Sequence, residues 1–193
     1  MQVNNETGTI MPVDDLAELK QQALLHTDAV QAFGKIGLPD GADLISVSGH
    51  KIHGPKGIGG LIFHKDLRVS PLLYGGGQEE GLRSGTENTP VILGMGEAVR
   101  AYPQGAPAEM MANKRLLWTL IQQRIPGACL NGPAMNDPAC APHILNVSFP
   151  PVRSQTMLFA LEGDGIYVSS GSACASRKQK LSGVLTAMGL PTD

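Results

Sequence analysis

The sequence predicts a layered α/β fold, and three observations carry that prediction. Short apolar runs alternate with stretches of helical spacing, a βαβ rhythm in which strands are buried between helices. The 193 residues include 24 glycines and 14 prolines, enough for many turns without entering the low-complexity range. Apolar residues make up 42% and charged residues 17%, the balance of a chain that folds around a core.

Each element follows from a local pattern. Residues 13–22 have helical spacing, and 24–28 form a short apolar run ending in Asp28. Leu-Ile-Ser-Val-Ser at 44–48 reads as a buried strand, and Gly-Leu-Ile-Phe-His at 60–64 as another across a Gly/Pro-rich loop. Runs this short also suit a buried helical turn. Thr89-Pro90 reads as N-cap and first helical residue of a helix reaching Tyr102. Pro103-Gln104-Gly105-Ala106-Pro107 interrupts the pattern and divides the chain into 1–103 and 104–193. Beyond it, 108–124 has helical spacing with Leu116, Leu117, Leu120 and Ile121 on one side. Residues 144–149 read as a strand, 154–161 as a helix and 165–168 as a strand.

Composition narrows the function classes. A net charge of −2 offers no electrostatic attraction to nucleic acid or an anionic membrane, so neither is expected as a partner. No apolar run reaches the ~20 residues that span a bilayer, and the first residues, Met-Gln-Val-Asn-Asn-Glu, lack the marks of a secretory signal. Three cysteines without a CxxC pair argue against a disulfide framework and for a reducing, cytoplasmic setting. The five histidines and three cysteines show no metal-ligand spacing, so no metal is expected.

Chemistry concentrates in four places. In Ser48-Gly49-His50-Lys51, a lysine follows a buried strand directly and enters a Gly/Pro-rich loop. A lysine that forms a Schiff base needs such a partly desolvated position, where its neutral amine is accessible. Ser48 and His50 could meet a cofactor phosphate from the same turn, although an exposed lysine beside a structural histidine would look the same. In His26-Thr27-Asp28-Ala29-Val30-Gln31, a carboxylate ending an apolar strand needs a partner, and a protonated pyridine nitrogen is one. Gln31 could donate to the ring oxygen, while turn capping by Asp28 is the plainer alternative. In Gly75–Asn88, glycines allow close approach to an anion, with Arg83 and Thr86 as donors near a helix N-terminus; a surface turn has the same composition. In Ser169-Ser170-Gly171-Ser172-Ala173-Cys174-Ala175-Ser176, small residues leave a thiol accessible, and Arg177, Lys178 and Lys180 favour its thiolate. Cys129 and Cys140 have Pro-rich settings without helper groups.

Taken together with Asn4-Asn5-Glu6-Thr7-Gly8, the order and spacing of these motifs resemble the cysteine desulfurases of iron–sulfur cluster assembly, first group, within the class V aminotransferases. The resemblance implies part of a fold type I large domain, with a mainly parallel sheet and flanking helices, over 1–103. It implies a smaller, incomplete α/β domain carrying the reactive-cysteine loop over 104–193. It implies pyridoxal 5'-phosphate as cofactor. By the same resemblance Lys51 is the Schiff-base lysine and Asp28 the pyridinium partner. Gln31 and Asn5 bond the ring oxygen, and Ser48 and His50 the phosphate. Thr86 reaches the phosphate in the neighbouring subunit of a homodimer, and Cys174 forms the persulfide. L-cysteine is then the substrate, L-alanine the product, and an iron–sulfur scaffold or other sulfur-acceptor protein the partner.

Members of that group are roughly double this length, so the resemblance also implies a fragment. The front half would hold a Gly/Thr phosphate turn and a histidine stacked on the ring, and the tail an arginine for the substrate carboxylate. Two rival expectations stand beside this one. The first is another pyridoxal-phosphate lyase or transaminase of the same fold with Cys174 incidental. The second is an inactive fragment that only dimerises or binds a sulfur acceptor.

Overall fold

A computed structural model describes residues 1–170 and 182–190. They form two compact units: Met1–Gln2 with Met11–Ala106, and Val3–Ile10 with the chain from Pro107 onward.

The first unit is built on a three-stranded sheet in the order β1 (His26–Asp28), β2 (Leu44–Ser48), β3 (Gly59–Phe63). β1 and β2 are parallel, pairing His26 with Leu44 and Asp28 with Ser46. β2 and β3 are antiparallel, pairing Leu44 with Phe63 and Ser48 with Gly59. Strand side chains alternate between faces, so Thr27, Ile45 and Val47 turn into the core while His26, Asp28, Ser46 and Ser48 share the other face. Ala29, Ala32, Ala42 and Ile52 complete that core. Helix α1 (Val13–Leu19) precedes β1, and Lys20, just past its end, pairs with Asp43 at 2.6 Å. The predicted strand at 24–28 keeps only its last three residues, because Leu24 is exposed and parallel pairing with β2 begins at His26.

Helix α2 (Thr89–Ala101) begins one residue earlier than expected, with Asn88 rather than Thr89 at the N-cap. It backs directly onto the loop after β2. A Cβ on Gly94 would lie 2.6 Å from Pro55 Cγ, so only glycine lets helix and loop approach this closely. At its end, Tyr102 stacks on His53 with ring centroids 6.2 Å apart.

In the second unit, helix α3 (Ala106–Arg124) buries Lys114 and Trp118, one turn apart on the same face. The leucines expected to be its apolar side are outward, Leu116 and Leu117 being more than half exposed. The two-stranded sheet pairs β4 (Cys129–Leu130) with β5 (Val147–Ser148). The expected strand at 144–149 shrinks to two residues because its partner offers only two. Helix α4 spans Ser154–Gly163 and α5 Gly183–Ala187, the latter capped by Ser182 Oγ accepting from Leu185 N–H at 3.1 Å. Residues 165–168 form no strand: Ile166, Tyr167 and Val168 are all at least half exposed, with no neighbouring strand among the described residues to complete a ladder.

Candidate active site

Parallel β1 and β2 end at the same edge of the sheet, and the sequence places its chemistry there. Ligands of open α/β sheets sit outside the carboxyl ends of the strands. Asp28 closes β1; Ser48 closes β2 and leads into the 3₁₀ turn Gly49–Ile52, which carries His50 and Lys51. Ser48 Oγ and His50 Nδ1 share a hydrogen bond of 2.7 Å, so hydroxyl and imidazole form one polar pair at the strand end. Beside them His26 Nε2 and Ser46 Oγ are bonded at 2.8 Å across the same face.

The turn itself is tightly made. Gly54 N–H donates to Gly49 O at 2.9 Å, closing the loop, and His53 takes a left-handed conformation with φ 66°. A side chain on Gly49 would meet Ile58 at 2.9 Å and Met95 at 3.4 Å, which is why the residue before His50 has none. Lys51 is half-buried on this turn.

Asp28 departs from expectation. It is exposed in this chain, since β1 contributes only Thr27 to the core. Its Oδ1 accepts Val30 N–H at 2.9 Å, the turn-capping role, while Oδ2 has no hydrogen bond among the described residues and is open to an outside donor. Gln31 is half-buried in the turn that follows.

Sequence reasoning overlooked Lys35 in that same turn. It is buried, and its Nζ donates to Lys51 O at 2.8 Å, tying the segment after β1 to the lysine turn. Burial, and secondarily the Lys51 charge, hold its amine below the ordinary lysine pKa. The available signal was a lysine enclosed by Phe33 and Ile36 in an otherwise apolar stretch.

The other predicted positions belong to other segments of the chain or lie outside the described residues. Thr86 is exposed on the loop before α2, where Gln78 Oε1 accepts Gly85 N–H at 3.0 Å and Arg83 donates to the neighbouring Ser84 carbonyl at 2.8 Å. Asn5 belongs to the second unit, at an exposed turn organised by Asn4, whose Oδ1 accepts Glu6 N–H and Thr7 N–H at 2.9 and 3.0 Å. Cys174 lies outside the described residues. Among the described residues, no helix is long and apolar enough to cross a membrane.

Residues 1–188 match the aminotransferase class-V family. The chain belongs to that family. It is 41% identical over 200 residues to the cysteine desulfurase of Trichormus azollae, covering 99% of this chain and 49% of the relative. A solved NifS-like protein superposes with a TM-score of 0.83 at 38% identity, covering 99% of this chain and 51% of that one. SspA in complex with cysteine superposes with a TM-score of 0.76 at 34% identity, over 99% and 54% respectively. The chain thus spans about half the length of the curated relatives it matches. These likenesses confirm an α/β fold of the kind found in cysteine desulfurases and class-V aminotransferases. Within it, a carboxylate with a free oxygen, a hydroxyl–imidazole pair and a half-buried lysine at one strand edge suit the charged ring, phosphate and aldehyde of pyridoxal phosphate.

Proposed function

We propose that this chain supplies the cofactor lysine and the persulfide cysteine of a cytoplasmic cysteine desulfurase, a homodimer that uses pyridoxal 5'-phosphate. The observation that carries the proposal is the placement of Asp28 and the Ser48–His50–Lys51 turn at the carboxyl ends of neighbouring parallel strands. Cysteine desulfurase relatives at 41% identity support the same reaction. In this reading 1–103 is the carboxyl-terminal part of the large cofactor-binding domain and 104–193 the small domain.

Pyridoxal phosphate, when bound, supplies an electron sink for negative charge at the Cα of an amino acid. Asp28 would bind the ring nitrogen through its free oxygen and keep a proton on it by its charge. Ser48 and His50 would bind the phosphate as a ready-made pair, and Gln31 the ring oxygen. Lys51 would hold the aldehyde carbon and, once displaced by L-cysteine, carry the Cα proton on its Nζ. The Cys174 thiolate takes the substrate sulfur as a persulfide, leaving L-alanine, and an iron–sulfur scaffold or other acceptor then removes that sulfur.

The test supplies the half of the relatives' length that this chain does not span, then adds L-cysteine. One extra sulfur is expected on Cys174 and none on Cys129 or Cys140. Cys174→Ala should keep the lysine-linked cofactor absorbance while alanine release falls to background, and Lys51→Ala should lose that absorbance. Sulfur on Cys129 or Cys140, or alanine at the parental rate from Cys174→Ala, would replace this reading with a general pyridoxal-phosphate lyase.

A further inference from the structure

Cys140 is not the bystander its sequence suggests. It is buried within the second unit, 4% exposed, in a segment held against Thr9: Ile10 N–H donates to Ala139 O and Ala141 N–H to Gly8 O. Lys114, itself 7% exposed, reaches it from α3. The Lys114 Nζ lies 3.0 Å from Cys140 Sγ and 2.8 Å from Ala141 O. A buried amine ordinarily finds a carboxylate. Among the described residues, this one has a thiol and a carbonyl instead.

We propose that Lys114 and Cys140 are an oxidative modification site, closing to a covalent sulfenamide that staples α3 to the 131–143 segment. The oxidant is a hydroperoxide. Its terminal oxygen transfers to Sγ, so the thiol becomes a sulfenic acid and the peroxide is reduced to water or an alcohol. Sulfenic acids condense with nitrogen, and Nζ is the nitrogen already in contact. After Lys114 gives one proton to solvent, the amine lone pair attacks sulfur and the S–O bond breaks. The departing hydroxide leaves as water with a second amine proton. The balance is thiol plus amine plus hydroperoxide giving S–N bond plus two molecules of water, for hydrogen peroxide. Thiols reverse it by attacking sulfur and returning the amine. Burial protects the pair from bulky oxidants but not from a molecule the size of peroxide admitted by local opening of an irregular segment.

The experiment uses the 193-residue chain with Cys129→Ser and Cys174→Ser, so that Cys140 is the sole thiol and no disulfide can form within it. Treatment with dilute hydrogen peroxide should remove two hydrogens from the intact mass, and dithiothreitol should restore them. Trypsin should then fail to cut after Lys114 and yield a peptide joining 101–115 to 125–153. Lys114→Arg, which keeps donors for the Ala141 carbonyl, should show no hydrogen loss and should gain oxygen on Cys140 instead. Oxygen added to Cys140 of the Lys114 protein with cleavage after Lys114 intact, or no change in mass at all, overturns the proposal. The peptide map of the Lys114 protein decides the matter even if the arginine variant does not fold.

Discussion

Lys35 and Lys51 show how one residue can be singled out in the sequence while the residue that touches it in space is missed. Lys51 stands in a motif whose chemistry is local, a lysine released from a strand end into a tight turn. Lys35 acts only through the fold, by donating to the Lys51 carbonyl across 16 positions of sequence. Because burial lowers the Lys35 pKa, the unfolded chain holds the proton over a pH window just below the ordinary lysine value where the folded chain has released it. Protons bound preferentially by the unfolded state make stability rise with pH through that window. Lys35→Met should therefore flatten the alkaline rise in the urea midpoint. It should also cost about 1 kcal/mol near neutrality from the lost hydrogen bond. A midpoint in Lys35→Met that climbs with pH as steeply as the parent's would show that another group titrates there.

At the scale of elements, β2 organises the first unit. Ile45 and Val47 are its core-facing residues, 7% and 6% exposed, and Ile45→Ala should destabilise the chain by about 2–5 kcal/mol in chemical denaturation. Loss of less than about 1 kcal/mol would mean that this face is not packed as described. The entry to β2 is held by Asp43, whose Oδ2 accepts Leu25 N–H at 2.7 Å and Lys20 Nζ at 2.6 Å. The Leu25 hydrogen bond first, and then the Lys20 one, hold its carboxyl below the ordinary aspartate pKa. A depressed carboxyl stabilises the fold above its unfolded pKa and loses that contribution as pH falls through the folded one. Asp43→Asn should accordingly be less stable than the parent at neutral pH, with the gap closing in acid. A gap that stayed constant down to strongly acidic buffers would assign the effect to packing rather than to ionisation.

Across the whole molecule, apolar surface stands open. Leu72 is 93% and Tyr74 80% exposed, immediately before the loop that presents Thr86. Contiguous exposed apolar residues mark surfaces that further chain or a partner covers, in keeping with a chain spanning half the length of its relatives and with the proposed homodimer. In the proposed homodimer, Thr86 would serve the cofactor of the opposite subunit. Mixing completed Lys51→Ala and Thr86→Ala proteins should restore activity, because each mixed dimer contains one site with both residues intact. With random exchange, about half the dimers are mixed and each has one of two sites, so roughly a quarter of parental activity is expected. No recovery after verified subunit exchange would place Thr86 in its own subunit's site.

By itself, the sequence determined the α/β class and the boundaries of β2, and it singled out Asp28 and Ser48–Lys51 as residues beside strand ends. Those signals are local: alternating burial in Leu44–Ser48, glycine where a turn admits no side chain, and a lysine at a strand end. Tertiary structure alone decided which expected elements survive and which side chains meet. Residues 165–168 have strand-forming composition but no ladder partner among the described residues, and α3 buries Lys114 and Trp118 rather than its leucines. The Lys35–Lys51 and Lys114–Cys140 contacts join positions 16 and 26 residues apart. Periodicity reports which residues can share one face of one element; which faces are covered, and by what, is settled only when separate elements pack.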